Sequence, residues 1–133
     1  MEDRHLFRGK RTDNGVWACG YLYGIWEKRY ILWGMFNDIP GMIEVDRATI
    51  CQYTGLNDKN GKLIFENDII AYWDTYSTEN GQEEAYCVGE VAWDEETLSV
   101  QVTNRLSAES YEVLKGECFV IGNTFDNPEL LEV

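Results

Sequence analysis

Apolar and polar residues alternate over short runs that are separated by turns rich in glycine, asparagine and aspartate. The run 98–103 is the clearest, because Leu98, Val100 and Val102 would share one face of a strand and polar residues the other. Comparable runs, rich in β-branched and aromatic residues, predict strands at 5–11, 16–23, 29–35, 42–45, 49–53, 69–74, 84–93 and 118–121. Many short strands with such turns favour a barrel or a sandwich.

Helix is predicted at only two places. Residues 107–114 could form two turns, with Ser107 as the cap and Gly116 as the stop. Residues 127–131 could form one turn, with Pro128 at the first helical position. Two glycines carry further predictions: Gly89 allows a bulge or a sharp bend, and Gly122 opens a turn with the asparagine that follows it.

The segment 52–70 is a dense run of turn chemistry between two apolar, strand-like stretches. Asp58-Lys59-Asn60-Gly61 predicts a tight reversal, because Asn and Gly tolerate the left-handed backbone conformation. Glu66-Asn67-Asp68 then interrupts an apolar segment before the strand candidate 69–73. Nothing in this run has the arrangement of a catalytic motif, and we interpret it as a fold signature.

The same run resembles the YopX-like family of small phage and prophage proteins, and a second resembling motif follows at 120–131. One departure is Asn67, where the family has Gly; Asn is the next best left-handed residue, so the turn is expected to survive. The resemblance assigns a structural role to the motif residues Tyr53, Thr54, Gly55, Leu56, Asp58, Asn60, Gly61, Asp68, Gly122, Asn123, Asn127 and Pro128.

The resemblance also implies a fold. It implies a mainly β protein with a small SH3-like barrel, additional N-terminal strands and hairpins, and little helix. It covers most of the chain, so residues 1–133 are expected to form a single domain of this family. It implies no enzyme activity and no cofactor.

Length and cysteine usage indicate the compartment. No apolar run approaches the ~20 residues that span a bilayer, and the start of the chain lacks a signal peptide's basic and apolar profile. We therefore expect a cytoplasmic protein in a bacterial host cell. The sequence has no C-x-x-C pair among its four cysteines, Cys19, Cys51, Cys87 and Cys118. We interpret them as buried reduced thiols, and disulfides in an extracellular setting are the alternative.

The negative charge lies in the second half of the chain. Residues 1–66 hold 9 acidic and 9 basic residues, whereas residues 67–133 hold 15 acidic and 2 basic residues, so the whole excess of −13 falls after a weak seam near residue 66. A solvated acidic surface that favours solubility is the preferred interpretation, and an acidic face for a basic partner is the alternative. Direct nucleic-acid binding is disfavoured, because phosphate contacts need a clustered basic footprint.

The side chains that usually carry catalysis are scarce. His5 is the only histidine, so no triad or histidine-ligated metal is predicted, and a pairing of Cys19 with His5 is disfavoured. No phosphate loop is present, and the acidic run at 94–96 lacks the spacing and glycine of a calcium loop. We predict no catalytic, cofactor-binding or metal-binding residues.

One hairpin combines aromatic and basic residues between Gly24 and Gly34. Exposed aromatic rings beside cations would form a contact patch, and ordinary hairpin packing is the competing interpretation. The predicted interaction surface consists of Trp26, Lys28, Arg29, Tyr30 and Trp33.

The functional hypothesis is a non-enzymatic phage or prophage accessory protein. Its partner would be a second copy, as in a homo-oligomer, or a host or phage protein, with no membrane involved. Two alternatives remain open. One is an acidic decoy of a nucleic-acid-binding protein, and the other is a small enzyme that uses a pair of carboxylates.

Overall fold

The protein is described from a computed structural model, which covers residues 5–36, 39–96, 99–103, 108–109 and 118–131. The described residues are mainly β, as predicted, with two short 3-10 helices at Arg47–Thr49 and Pro128–Leu131. The strands are β1 (Leu6–Lys10), β2 (Trp17–Ile25), β3 (Lys28–Phe36), β4 (Ile39–Val45), β5 (Cys51–Asn57), β6 (Leu63–Phe65), β7 (Asp68–Thr78), β8 (Gly81–Asp94), β9 (Ser99–Thr103), β10 (Ala108–Glu109) and β11 (Cys118–Asn123).

The chain divides into two compact units, Met1–Gly55 and Leu56–Val133. The first unit contains 7 acidic and 7 basic residues, which gives a net charge of zero. The second contains 17 acidic and 4 basic residues, which gives −13. Residues 56–66 hold two of each sign, which is why charge alone placed the seam later, near residue 66.

The first unit is a curled antiparallel sheet with strand order β4-β3-β2-β1-β5. The end of β4 returns to the chain just after β1: Arg11 bridges Val45, and the N–H of Asp46 donates to the carbonyl oxygen of Lys10 at 2.8 Å. Ile31 and Val45 fill the concave side and are almost fully buried. A Cβ at Gly20 would lie 2.1 Å from the carbonyl oxygen of Leu32, so the tight curl leaves no room for a side chain there.

The second unit contains an antiparallel sheet with strand order β10-β9-β8-β7-β11. Its core is a cluster of buried side chains from five strands: Ile64, Ile70, Tyr72, Val91, Val102 and Cys118. The predicted alternation in β9 is correct where it is described, since Val102 is fully buried and Val100 packs against this core. This arrangement does not confirm the SH3-like barrel that the resemblance implied.

Several local predictions require correction. The strand predicted at 49–53 continues further than expected: Thr54–Leu56, assigned to turn chemistry, also lies within β5, where Gly55 has a φ of 88°. Gly122 and Asn123 are the end of β11 rather than a turn, and the turn follows them. The β7–β8 register is continuous through Gly89, so there is no bulge at this residue. Glycine is needed there for space, because a Cβ at Gly89 would lie 2.6 Å from Cγ1 of Val102.

The predicted helix at 107–114 is wrong at its start, because Ala108–Glu109 pairs with β9 as a strand; the rest of that segment lies outside the described residues. The second helical prediction is confirmed, since Pro128 begins a 3-10 helix. The expectation of four buried thiols is also wrong for one of them: Cys19 is exposed, whereas Cys51 and Cys118 are buried and Cys87 is half-buried. The four cysteines form no disulfide.

Candidate interaction surface

The convex side of the first unit is assembled from residues that lie opposite one another on β2, β3 and β4. Residues paired directly across antiparallel strands point to the same side of a sheet. Tyr21 lies opposite Leu32, and Leu32 lies opposite Met42. We call this surface the outer face, and it consists of Tyr21, Tyr23, Ile25, Tyr30, Leu32 and Met42.

Much of the outer face is open to solvent. The exposed fraction is 51% for Tyr21, 45% for Tyr23 and 45% for Met42, and Ile25 is also exposed. Single exposed apolar residues are ordinary, but contiguous ones mark interaction sites in soluble proteins. The outer face is therefore the described surface of the first unit best suited to contact another macromolecule.

Trp26 stands at the tip of the β2–β3 hairpin, beside the outer face. Its exposed fraction is 94%, and its φ of 53° lies in the left-handed region. A bulky side chain in that region costs about 1–2 kcal/mol relative to glycine. Because the ring packs against almost nothing, folding alone does not explain a tryptophan at this position, and such strain is concentrated at functional sites.

Arg29 holds this turn in place. It lies opposite Gly24 and Val45, on the concave side of the sheet rather than on the outer face. Its Nη1 donates to the carbonyl oxygens of Trp26 at 2.9 Å and Lys28 at 3.0 Å. Arg29 is thus a clamp on the turn that presents Trp26.

Cations border the outer face. Arg8 lies opposite Cys19 and Lys10 lies opposite Trp17, on the same side of the sheet as the outer face. The Arg8 guanidinium is 4.6 Å and the Lys10 ammonium 5.4 Å from the centroid of the Trp17 ring. Such cation–π contacts keep the charges close to aromatic surface. Lys28 lies opposite Ile25. Glu44, opposite Tyr30 on β4, is acidic and lies on the same side.

A cavity of about 510 Å³ opens at the closed end of the curled sheet. Five cations line the cavity together with three carboxylates, those of Glu27, Glu44 and Asp46. Arg11 is further engaged by Asp13 through contacts of 2.9 and 2.7 Å, and this hydrogen bonding raises the pKa of Arg11 and lowers that of Asp13. The cations that line the cavity are Lys10, Arg11, Lys28, Arg29 and Arg47.

The second unit carries an aromatic surface with acidic neighbours. Trp73 and Tyr86 lie opposite each other on the β7–β8 hairpin and meet edge to face, with ring centroids 5.4 Å apart. Both rings are exposed, and on the same side of the sheet Phe119 lies opposite Ala71. We call this surface the hairpin patch, and it consists of Trp73, Tyr86, Phe119, Glu84 and Glu90.

Burial raises the pKa of the Glu90 carboxyl group. Among the described residues, no group of three or more His, Cys, Asp or Glu side chains is arranged to hold a metal ion.

The predicted interaction residues are only partly brought together. Lys28 and Tyr30 lie on the outer-face side of β3, Trp26 is at its tip, and Trp33 is half exposed beside a register shift in β3. Arg29 faces the other way. The sequence prediction missed Tyr21, Tyr23, Ile25 and Met42, although the i, i+2, i+4 spacing of the first three was a usable signal.

The signature motif is a turn that Asp58 organises. The Asp58 carboxylate accepts hydrogen bonds from the N–H groups of Asn60 and Lys62 at 2.9 Å and of Val120 at 3.0 Å. Burial opposes ionisation of Asp58, but these hydrogen bonds outweigh it and lower the pKa. Gly61, with a φ of 81°, completes the reversal.

Two further turns use the remaining motif residues. Asn67 has a φ of 70°, as expected for a residue in place of glycine, and the buried Asp68 accepts the N–H of Phe65 at 2.8 Å. Asn123 accepts the N–H groups of Phe125 and Asp126 at 3.0 and 2.9 Å, which closes the turn after β11. Of the other motif residues, Tyr53, Thr54 and Gly55 are buried and Leu56 is half-buried in β5, while Asn60 and Pro128 are exposed.

Gly122 has a steric reason to be glycine. A Cβ at this position would lie 2.6 Å from the side-chain oxygen of Asn127. That oxygen accepts the N–H of Asn123 at 3.3 Å, and the N–H of Asn127 donates to the carbonyl oxygen of Asn123 at 2.8 Å. The C-terminal motif is therefore a packed turn that leads into the second 3-10 helix.

Comparison with known proteins supports the family resemblance of the two motifs. The family model described as YopX protein matches residues 6–132. A solved structure, protein EF1440 from Enterococcus faecalis, is similar with a TM-score of 0.52 and 25% sequence identity, covering 95% of this chain and 96% of that one. No curated protein matches the chain. In the described part of the chain, no helix is long and apolar enough to cross a membrane.

Proposed function

We propose that this chain, which belongs to the YopX family, is a non-enzymatic module that binds another protein through the outer face of its first unit. The observation that carries the proposal is the exposure of Tyr21, Tyr23 and Met42 on one side of the sheet, with Trp26 at the tip of the adjoining hairpin. Tyr, Trp and Met are enriched in protein interfaces, and Tyr and Trp dominate their binding energy.

The backbone at Trp26 supports the same proposal. An exposed tryptophan gains little from folding, yet here it occupies a φ that favours glycine. Burial of the ring by a partner would offset that strain. A large aromatic anchor surrounded by other apolar side chains is the usual composition of an interface hot spot.

The bordering cations give the surface a preference among partners. Lys28 is exposed next to Ile25, and Arg8 and Lys10 adjoin Trp17. Rim charges steer encounter and select partners more than they add affinity. A partner with an apolar centre and an acidic rim would fit this surface best. We place the activity in phage or prophage biology, in the cytoplasm of the bacterial host, because the signature motifs resemble those of small phage and prophage proteins.

A second candidate is an acidic decoy of a nucleic-acid-binding protein. It is favoured by one observation, the concentration of the whole −13 charge in the second unit. Such a decoy would bind through the acidic unit, and its complex would dissociate steeply with salt. Binding that tolerates salt and requires the outer face would contradict this candidate.

Affinity capture with matched variants tests the main proposal. Tagged wild-type chain, the double variant Tyr23→Ser with Trp26→Gly, and the control Val16→Ser are each exposed to bacterial lysate that also contains untagged chain. Val16 is exposed and apolar but lies in the β1–β2 connection, outside the outer face.

We expect the wild type and Val16→Ser to capture the same defined protein, and the double variant to capture none of it. The captured protein can be a lysate protein or the untagged copy of this chain. Thermal unfolding of each purified variant verifies that all three are folded. Retention of the same proteins by all three would overturn the proposal.

A further inference from the structure

We propose that the partner of the outer face is the hairpin patch of a second copy, so that copies join head to tail. This inference rests on the proposed function and adds the identity of the occupant. It follows from four observations: the division of charge between the units, the charges bordering each surface, the aromatic content of both, and the extension of the β7–β8 hairpin.

The charge division favours contact between unlike units. The first unit is neutral overall, with cations beside the outer face, whereas the second carries −13. Two second units that met face to face would repel, and two outer faces would bring their cations together. Contact between an outer face and a hairpin patch avoids both costs, so charge selects a heterologous arrangement.

The residues at the edges match this selection. Lys28 adjoins the apolar centre of the outer face, and Glu84 lies two residues from Tyr86 along β8. Both are exposed and available for an intermolecular ion pair. Such pairs at a rim set register and encounter rate and are weakened by salt.

The aromatic residues supply the centre of the contact. Trp73 has an exposed fraction of 62% and Tyr86 of 58%, and the two rings are in edge-to-face contact. Edge-to-face pairs are a preferred aromatic arrangement. A preformed pair loses little freedom on binding, so it suits an anchor against Tyr23 and Trp26 of another copy.

Among the described residues, the β7–β8 hairpin also extends beyond its pairing with β9 and β11. Pairing with β11 ends at Tyr72 on one side, and pairing with β9 begins at Glu90 on the other. Between these points, Trp73–Thr78 pairs with Gly81–Tyr86 as a two-stranded ribbon, as far as the described residues show. A two-stranded ribbon is marginal in water by itself. Docking on a second copy would cover it.

A mixing experiment tests the inference. The face variant is Tyr23→Ser with Trp26→Gly, the hairpin variant is Trp73→Thr with Tyr86→Thr, and Val16→Ser is the control. Threonine keeps β propensity in the ribbon. Light scattering gives the molar mass of each variant alone and of an equimolar mixture of the face and hairpin variants. Glu84→Lys is a second hairpin variant that leaves both rings in place.

The expected result is association of the wild type and the control, with both double variants reduced to single chains. Each double variant keeps one intact surface, so their mixture should form pairs and nothing larger. Loss of one aromatic hot spot is expected to weaken association by about 10- to 100-fold. Raising the salt from about 0.05 M to about 0.5 M should weaken the wild-type association.

Other outcomes overturn the inference in distinguishable ways. Association of either double variant with itself would indicate a contact between identical surfaces. A wild-type chain that stays single but still captures another protein through the outer face would overturn this inference and leave the proposed function standing. A face variant that associates and captures proteins as the wild type does would overturn both.

Discussion

The Asp58 carboxylate accepts the N–H of Val120 at 3.0 Å, across 62 residues of sequence. The N–H of Lys59 donates to the carbonyl oxygen of Cys118 at 2.9 Å, so the signature turn and β11 are joined by two hydrogen bonds. The two motifs that are far apart in the sequence are therefore adjacent in the second unit. Their role in this structure is to fix one strand against one turn.

Replacement of Asp58 should destabilise the protein in a pH-dependent way. Asp58→Asn removes the charge and leaves one acceptor atom for three N–H donors, and we expect a loss of roughly 2–4 kcal/mol in the free energy of unfolding near neutral pH. Because the native pKa is lowered, the contribution of the wild-type carboxylate is present above the unfolded pKa of about 3.9 and is lost as pH falls through the native value.

Urea unfolding of wild type and Asp58→Asn at several pH values tests this. The difference between the two proteins should shrink as the solution becomes more acidic than the unfolded pKa. A difference that stays constant over that range would show that the charge of Asp58 is not what stabilises the turn.

The strain at Trp26 can be measured with two substitutions. Trp26→Gly removes both the ring and the unfavourable φ, whereas Trp26→Ala removes the ring and keeps the φ of 53°. We expect the glycine variant to be the more stable of the two by about 1 kcal/mol, because only glycine adopts this region without a steric cost. Chemical denaturation gives both values, and a more stable alanine variant would contradict the strain assignment.

The packing of the C-terminal motif predicts a coupled pair of substitutions. Gly122→Ala places a Cβ 2.6 Å from the Asn127 side-chain oxygen and should cost about 1–3 kcal/mol of stability. In an Asn127→Ala background the same change should cost less, because the nearest atom has gone. Equal costs in the two backgrounds, measured by thermal or urea unfolding, would place the clash elsewhere.

The four thiols should react at different rates. Cys19 is exposed and should be modified first by a maleimide, while the buried Cys51 and Cys118 should react only on unfolding. Partial burial raises the pKa of the Cys19 thiol, and Arg8 opposes the shift in part, so its reaction should accelerate as pH rises above neutral. Peptide mass mapping identifies the labelled site. Faster modification of Cys51 than of Cys19 would contradict the described burial.

The sequence was informative where local chemistry decides the structure. The turn at Asp58, the left-handed Asn67 and the helical start at Pro128 are all set by residues within a few positions, and each was predicted correctly. The helix expected at 107–114 is wrong at its start, because Ala108 and Glu109 pair with Thr103 and Val102 of β9, and a cap and a stop residue do not indicate such a pairing.

The outer face could not be predicted with the same certainty. In β2, Tyr21, Tyr23 and Ile25 alternate with Gly20, Leu22 and Gly24, and hydrophobicity alone would place the first set inside. The curl of the sheet reverses that choice, because only a residue as small as Gly20 fits on the concave side against Leu32. The distance between a Cβ at Gly20 and the carbonyl oxygen of Leu32 depends on the pairing of β2 with β3 and on the return of β4 to β1. The pattern of hydrophobic residues in one strand does not predict either of them.

Photo-crosslinking from the outer face shows whether this face binds another protein. Tyr23→p-benzoylphenylalanine places a reactive group within the outer face, and Val16→p-benzoylphenylalanine is the matched control outside it. In living bacteria the account predicts a discrete light-dependent adduct from position 23 that is absent from position 16. No adduct from position 23, or the same adduct from both positions, would contradict the claim that the outer face is a protein-binding surface.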